Sequence, residues 1–550
     1  MKKIIAVLLA LMLCAGMLPA FAESTTIAEQ FGWEVPAETL NISVYAGQLT
    51  LGEEQKQGME NMKAYLLENF NINYEVVYTD GDSEEQLNLM LASGDYPSII
   101  IGASTTNRQR IVDQGRAADI TEYMNAETSP NLMARLGDLA GLYADAEGKY
   151  YYLPASFSNL MDLPDYSAHI RYDEWQEIGA PEINTPEDWK NALMAIYELH
   201  PTTEEGEARY SLGLYSQGLP EYLSGYWGLQ RGWKVNEDNT LTYWTETEEG
   251  KEMAKFFNEW WRTGTMDPDS FVNEWNDLRT KVSQERVVGI IGGWWIGYNA
   301  GHEIWSLTDE DWFEEKRFIQ VGFKAENAEN AYVTLKNNAG SSWTIITDKC
   351  EDVAGTMKWI DFTMSDKGIA LTCWGMPNEV QSYKNPETTS KIWELNEDGT
   401  WKFNDEAKAA LIAETWDYNE EGIYGTNTGV YSVVDYQGRF EDGVHCLWGN
   451  QMWYSENKWK GIMFENMDGT IFDGTALLYE SLTMSEDVTF AKTAIADAWK
   501  QYYPLVCMSA TDEEFEANWT NLQVAVQNAG LETYTNYRTE NYQNNLSMMG

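Results

Sequence analysis

The segment Glu85-Gln-Leu-Asn-Leu-Met-Leu-Ala-Ser-Gly-Asp-Tyr-Pro-Ser-Ile-Ile-Ile-Gly102 decides the fold class, because it joins a helix to a buried strand within one short stretch. From Leu87 onward apolar side chains recur at i, i+3 and i+4, which predicts a helix with one apolar face. Gly94 and Pro97 are typical helix-ending residues, and the apolar run at 98–102 is typical of a strand in a parallel sheet. The stretch therefore predicts an α/β fold.

The same alternation extends on both sides of this stretch. Strands are predicted at 41–46 and 72–78, with a helix from about 53 to 68 between them, and a later strand is predicted at 342–346. Further helices are predicted at 185–199, 248–262, 352–363 and through most of 490–545.

Ligands of open α/β sheets bind beyond the carboxyl ends of the strands. We therefore expect the loops after Ala46 and Gly102 to reach a ligand, with Tyr45 and Ser104 as candidate binding residues. The hydroxyl groups near Ser104 are equally consistent with ordinary loop polarity.

A second informative stretch is Arg286-Val-Val-Gly-Ile-Ile-Gly-Gly-Trp294-Trp295. Its apolar run predicts a buried strand, and its glycines allow another backbone or a ligand to approach closely. An indole offers a flat apolar face and one hydrogen-bond donor, so Trp294 and Trp295 are candidates for stacking on a ligand. The alternative is that both rings belong to the core.

Composition limits the class of protein. A chain of 550 residues is too long for one core and predicts two or three lobes, and 24 Trp and 32 Tyr are typical of a folded protein. The net charge of −50 makes nucleic acid and anionic membranes poor partners. It also disfavours an anionic polysaccharide unless a local basic pocket or a metal compensates. This charge and the abundance of tryptophan together favour a neutral oligosaccharide over a uronate.

Residues 1–22 are typical of an export signal. Lys2 and Lys3 precede an apolar run that is too short to span a membrane, and Ala20-Phe21-Ala22 forms an Ala-x-Ala cleavage site. We expect cleavage near Ala22 and a soluble exported protein. Lipid attachment at Cys14 is less favoured, since the preceding residue is Leu13 rather than a small one.

Four cysteines follow the signal, and their spacing is not that of a metal site. In an exported protein they could form two disulfides, and all three pairings of Cys350, Cys373, Cys446 and Cys507 stay open.

Several landmarks, in this order, resemble the extracellular solute-binding proteins of bacterial ABC importers, family 1, in the large oligosaccharide-binding, LipO-like branch. Besides 85–97, they are Tyr150–Pro154, Ile170–Trp175, Thr185–Trp189, Gly264–Asp269, Gly292–Trp295 and Met364–Gly368. The resemblance covers nearly the whole chain after the signal.

This resemblance implies a two-lobe periplasmic-binding-protein (type II) fold with hinge crossovers, a carbohydrate ligand, ABC permease subunits as partners and a monomer. By analogy lobe 1 comprises 38–152 plus 292–374, and lobe 2 comprises 155–288 plus 376–550. Trp294 and Trp295 match a sugar-stacking position, Trp227 lies in a segment that commonly faces the cleft, and Trp374 lies at the third crossover.

The chain departs from some relatives in one loop. They carry an EF-hand-like calcium loop after the helix that begins near Thr185, whereas 200–210 here lacks the alternating Asp and Asn ligands. We therefore expect no metal there, and no cofactor elsewhere.

Two other classes of function stay open. A carbohydrate-active enzyme would also use carboxylates and tryptophans, but the chain has four histidines and no HExxH or G-x-S-x-G motif. A sugar sensor or a secreted glycan-binding protein would keep the fold and change its role.

Overall fold

The computed structural model describes most of the chain after the expected signal peptide. The described residues are 25–47, 53–79, 82–145, 147–158, 166–215, 219–293, 305, 316–336, 339–340, 342–381, 387, 389–412, 430–441, 443–444, 446, 467 and 469–549. The predictions for 1–22, Trp294 and Trp295 lie outside these residues.

The first sheet has five strands. Their order is Ile72–Val77, Leu40–Ala46, Ile99–Ala103, Trp343–Ile346 and Leu153–Pro154. The first three strands are parallel, and Trp343–Ile346 is antiparallel to both of its neighbours. The four strands predicted for this half of the chain are therefore confirmed to within a residue at each end.

The helix Glu53–Phe70 shows why the apolar periodicity predicted this layer. Its Met59, Met62 and Leu66 side chains are fully buried, and each contributes about 1.5–3 kcal/mol through burial. The other helices that accompany this sheet are Ile27–Phe31, Ser83–Ser93, Thr105–Asp113, Pro130–Leu136, Val353–Thr363 and Asp366–Trp374.

The second sheet has four strands in the order Phe318–Val321, Tyr166–Arg171, Val287–Gly293 and Tyr210–Gly213. The first two pairs are antiparallel, and Val287–Gly293 is parallel to Tyr210–Gly213. Every residue of Val287–Gly293 is buried, as its apolar sequence predicts. Side chains pack on both faces of this sheet, because Val288 and Val287 belong to separate clusters.

Helices surround the second sheet. Pro186–Leu199 begins with a capping box between Thr185 and Asp188, and Glu248–Arg262 is amphipathic and has the predicted bounds. The others are Tyr172–Glu177, Leu219–Leu223, Trp275–Ser283, Thr475–Leu478, Glu486–Cys507, Asp512–Asn528 and Leu531–Met549. The mostly helical tail is thus confirmed.

Shorter elements complete the described chain. The paired strands are Ser156–Phe157 with Asp435–Tyr436, Trp233–Val235 with Leu241–Tyr243, Thr334–Lys336 with Ile471–Asp473, Val380–Gln381 with Thr389–Ser390, and Trp393–Leu395 with Trp401–Phe403. The remaining helices are the single-turn Thr121–Tyr123, Ser224–Trp227 and Trp244–Glu246 and the longer Gly137–Tyr143 and Asp405–Ile412. Within the described ranges, every helix is too short or too polar to cross a bilayer.

Two large cores divide the chain. The first holds residues from 28–157, 339–403 and 430–446 together with Tyr479, and the second holds residues from 168–333 and the other core residues of 467–537. Two segments pack differently from the lobe bounds expected by analogy. Phe318–Val321 pairs within the second sheet, and the described part of 380–446 contributes Trp393 and Phe403 to the first core. Strand pairing places Phe318–Val321 and aromatic packing on Phe31 places Trp393, and the sequence landmarks do not indicate either contact.

Candidate functional site

A cavity of about 540 Å³ lies at the carboxyl edge of the second sheet. Tyr166 lines it and pairs with Gly293, the last residue of the strand Val287–Gly293. Tyr215 lines the cavity just after the parallel strand Tyr210–Gly213. The cavity therefore occupies the position where an α/β sheet is expected to bind a ligand.

Aromatic rings form part of the cavity wall. The Tyr166 and Tyr222 rings stack with centroids 3.6 Å apart and an interplanar angle of 8°. The Arg231 guanidinium carbon lies 4.4 Å from the Tyr222 centroid, at cation–π distance. Trp499 and Tyr534 add further aromatic surface. Such faces suit the C–H face of a sugar ring.

Charged side chains form the rest of the wall. Lys492 Nζ donates to Glu480 Oε1 at 2.6 Å, and Arg538 Nη1 lies 3.9 Å from the same oxygen. Lys500 and Glu221 also line the cavity. Burial raises the pKa of the Glu221 carboxyl, and the nearby Arg538, Arg231 and Lys492 oppose that shift.

Glu480 also connects the cavity to the first sheet. Its backbone oxygen accepts a hydrogen bond of 3.1 Å from Arg108 Nη2, on the helix Thr105–Asp113 that follows a strand of that sheet. The Arg108 guanidinium carbon lies 4.6 Å from the Tyr152 ring centroid and 4.5 Å from that of Trp343. The carboxyl edges of both sheets therefore meet at Glu480.

Ser104 lies at this edge, as predicted from the strand that precedes it. Its hydroxyl accepts from Asn107 N at 3.3 Å, which caps the helix, and it donates to Glu84 Oε2 at 3.4 Å. The side chain is half-buried. Its proposed contact with a ligand stays a prediction.

The other described candidates are buried. Tyr45 is 1%, Trp227 4% and Trp374 0% exposed. The Tyr45 hydroxyl donates to Ser83 O at 2.7 Å, and the Trp374 indole donates to Cys446 O at 3.0 Å. In this conformation the three rings pack in the cores, and their role in binding stays a prediction.

Sequence reasoning missed most of the cavity wall. Tyr166 precedes the Ile170–Trp175 landmark, and Tyr222 precedes Trp227, which was chosen instead. A usable signal was present in the tail, where Lys492, Ile495, Ala496, Trp499 and Lys500 share one face of a helix at i, i+3, i+4, i+7 and i+8.

Hydrogen bonds from an arginine hold the loop 200–210 against neighbouring segments. Arg209 is 5% exposed, donates to Glu174 Oε1 at 2.5 Å and to Glu285 O at 2.8 Å. In the part of the chain that the structure describes, no three His, Cys, Asp or Glu side chains converge as metal ligands do. The four cysteines left open by the sequence are free thiols here.

No family model matches the sequence, and a comparison with curated proteins finds no match. Solved structures do match. The ABC-transporter substrate-binding protein FusA of S. pneumoniae, an EF-hand mutant in complex with fructo-nystose, shares 16% identity over 93% of this chain and 100% of its own, with a TM-score of 0.66.

This chain has the fold of the solute-binding proteins. An HMO-binding, ABC-transporter-associated protein from Bifidobacterium longum infantis gives a TM-score of 0.62 at 14% identity, over 92% of this chain and 99% of its own. An alginate-binding protein, AlgQ2, solved without calcium ion, gives a TM-score of 0.61 at 14% identity, over 93% of this chain and 99% of its own. The predicted two-lobe α/β fold is therefore confirmed, and these neighbours are binding proteins.

Proposed function

We propose that this protein binds an oligosaccharide outside the cytoplasm and delivers it to the membrane subunits of an ABC transporter. The observation that carries the proposal is the aromatic and charged cavity at the point where the two sheet edges meet. The likeness in fold to proteins that bind fructo-nystose, HMO and alginate supports the choice of a carbohydrate.

The dimensions and lining of the cavity fit such a ligand. A volume of about 540 Å³ falls within the usual range of small-molecule sites. The Tyr166 and Tyr222 pair offers a flat apolar surface, while Glu221 and Glu480 can accept hydrogen bonds from sugar hydroxyls. Such a lining recognises a polyhydroxylated ring rather than a purely apolar solute.

Binding is proposed to draw the two halves of the chain together. Two hydrogen bonds already join them at this edge, from Arg108 Nη2 to Glu480 O and from Thr483 Oγ1 to Gln109 Oε1 at 3.1 Å. A ligand that contacts both sides stabilises the closed arrangement, and closure excludes water from the polar contacts. Trp294 and Trp295, which follow Gly293 in the sequence, are proposed to add stacking.

The proposed activity is binding alone, without hydrolysis. Export after signal cleavage near Ala22, a permease partner and a monomeric state complete the proposal. The binding-protein fold supports it, and the permease would recognise the ligand-closed form.

A thermal-shift screen tests the function. Purified protein comprising 23–550 is heated with each member of a glycan, peptide and small-solute panel. A ligand that binds only the native state raises the melting temperature by mass action. We expect a shift with at least one oligosaccharide and unchanged glycan after incubation. Shifts with peptides alone, or cleavage of the glycan, would contradict the proposal.

A further inference from the structure

We infer that the oligosaccharide carries an acidic group, a carboxylate or a sulfate, which binds against Lys492, Lys500 and Arg538. This inference rests on the proposed function and specifies its ligand. It replaces the expectation of a neutral ligand, which followed from the net charge and the abundance of tryptophan.

The first reason is a local reversal of charge. The chain has 87 acidic and 37 basic side chains, yet the cavity wall has three cations, Lys492, Lys500 and Arg538, and two carboxyl groups. Of these carboxyl groups, Glu221 has a raised pKa because it is buried. The wall is therefore basic in a strongly acidic protein.

The second reason is that the cations are incompletely paired. Lys492 and Arg538 share one oxygen of Glu480. Lys500 makes no salt bridge to any described residue. Arg538 is 6% exposed, and its Nε has no acceptor among the described residues. An acidic ligand group would supply the missing oxygens.

A third donor lies beyond Glu480. Arg108 is 3% exposed, and its Nη1 is buried without an acceptor in the described part of the chain, although its Nη2 binds Glu480 O. A buried donor left unpaired costs about 1–3 kcal/mol, and more when it is charged. Arg108 and Arg538 both contact Glu480, and each has one buried guanidinium donor that favours an incoming acceptor.

The chain's overall negative charge does not override this local preference. Interactions between exposed charges are largely screened beyond about 10 Å at 0.1 M salt, whereas the wall cations would contact the ligand. Hydrogen bonds from cations to an ionised acceptor are about twice as strong as neutral ones. A sugar carboxylate therefore gains more from this wall than a hydroxyl does.

Paired glycans test the inference. The panel contains oligogalacturonates with their methyl esters, 3′-sialyllactose with lactose, and sulfated oligosaccharides with their unsulfated forms. We expect one acidic member to bind at least tenfold tighter than its neutral partner by calorimetry. Lys500→Glu should weaken that binding about fivefold or more, because the new carboxylate repels the ligand.

Lys358→Glu is the matched control. Lys358 is 70% exposed on the helix Val353–Thr363, which packs in the first core. Lys358→Glu therefore changes the net charge by the same amount as Lys500→Glu, but away from the cavity. Equal effects of the two variants would overturn the inference. A neutral glycan that binds as tightly as its acidic partner would also overturn it, while leaving the proposed function intact. If no glycan of either kind binds, both fail.

Discussion

At the scale of single residues, Lys281 forms an ion pair with a buried carboxylate, that of Asp267. Its Nζ lies 2.9 and 2.8 Å from the two oxygens of Asp267, 2.9 Å from Asp269 Oδ2 and 3.0 Å from Asn273 Oδ1. Asp267 is 0% exposed. The ammonium group is thus surrounded by oxygens, and Asp267 depends on it for neutralisation.

Lys281→Met is expected to lower the free energy of unfolding by about 3–5 kcal/mol, because it leaves a buried charge unpaired. The urea unfolding midpoint measures this. The control, Lys251→Met, breaks a surface pair with Glu516 of 2.8 Å and should cost less than about 1 kcal/mol. Similar losses in the two variants would show that Asp267 is neutralised by other means.

His169 gives the fold a dependence on pH. Burial lowers the pKa of its imidazole from 6.5 to about 4, so the unfolded chain takes up this proton first as the pH falls. The stability present above pH 6.5 is therefore lost progressively down to pH 4, by about 3 kcal/mol in total. In His169→Leu the urea unfolding midpoint should change less with pH between 6.5 and 4 than it does in wild type. An unchanged pH dependence of the midpoint would contradict the assignment.

At the scale of elements, Gly289 sets the distance between a helix and the second sheet. A β-carbon placed on it would lie 2.3 Å from Leu193 Cδ1, on the helix Pro186–Leu199. The glycine within the apolar run was correctly read as a sign of close approach, and the approaching partner is this helix. Sequence alone could not distinguish it from a ligand.

Gly289→Ala is expected to destabilise the fold by about 1–3 kcal/mol through overpacking. In a Leu193→Ala background the same substitution should cost far less, since the clashing methyl group is gone. Gly141→Ala is the control, because its β-carbon would lie 3.9 Å from Met548 O, at ordinary contact distance. Equal costs in both backgrounds would contradict the proposed contact.

The loop 200–210 is expected to be independent of metal. Arg209 ties it to Glu174 and Glu285, and Thr203 N donates to Glu207 O at 2.9 Å. Excess chelator should therefore leave the melting temperature unchanged. A large fall on chelation, restored by calcium, would show that the loop holds an ion after all.

At the scale of the whole molecule, the spacing of apolar residues predicted the individual strands and helices, because their formation depends on local sequence. The strands Leu40–Ala46, Ile72–Val77 and Ile99–Ala103 and the amphipathic helix Glu248–Arg262 followed from it. The positions of Trp393 and Phe403 in the first core did not, because these side chains pack on residues distant in sequence.

The sequence analysis expected a ligand at the carboxyl edge of the first sheet, after Ala46 and Gly102, and that expectation stays a prediction. The cavity lies at the carboxyl edge of the second sheet, and its wall is assembled from segments around Tyr166, Tyr222, Glu480, Lys492 and Arg538 that only tertiary packing brings together. Tryptophan abundance gave little discrimination. Trp227 packs on Phe256 and Phe257 with ring centroids 5.5 and 6.2 Å away, as a core residue does.

The central claim is that an oligosaccharide binds in this cavity, and calorimetry with Tyr222 variants tests it most directly. The strongest glycan from the thermal screen is titrated into wild type, Tyr222→Ala and Tyr222→Phe. If the ring stacks on sugar, Tyr222→Ala should weaken binding at least tenfold, while Tyr222→Phe, which keeps the ring, should stay near wild type. Wild-type affinity in Tyr222→Ala would contradict the site.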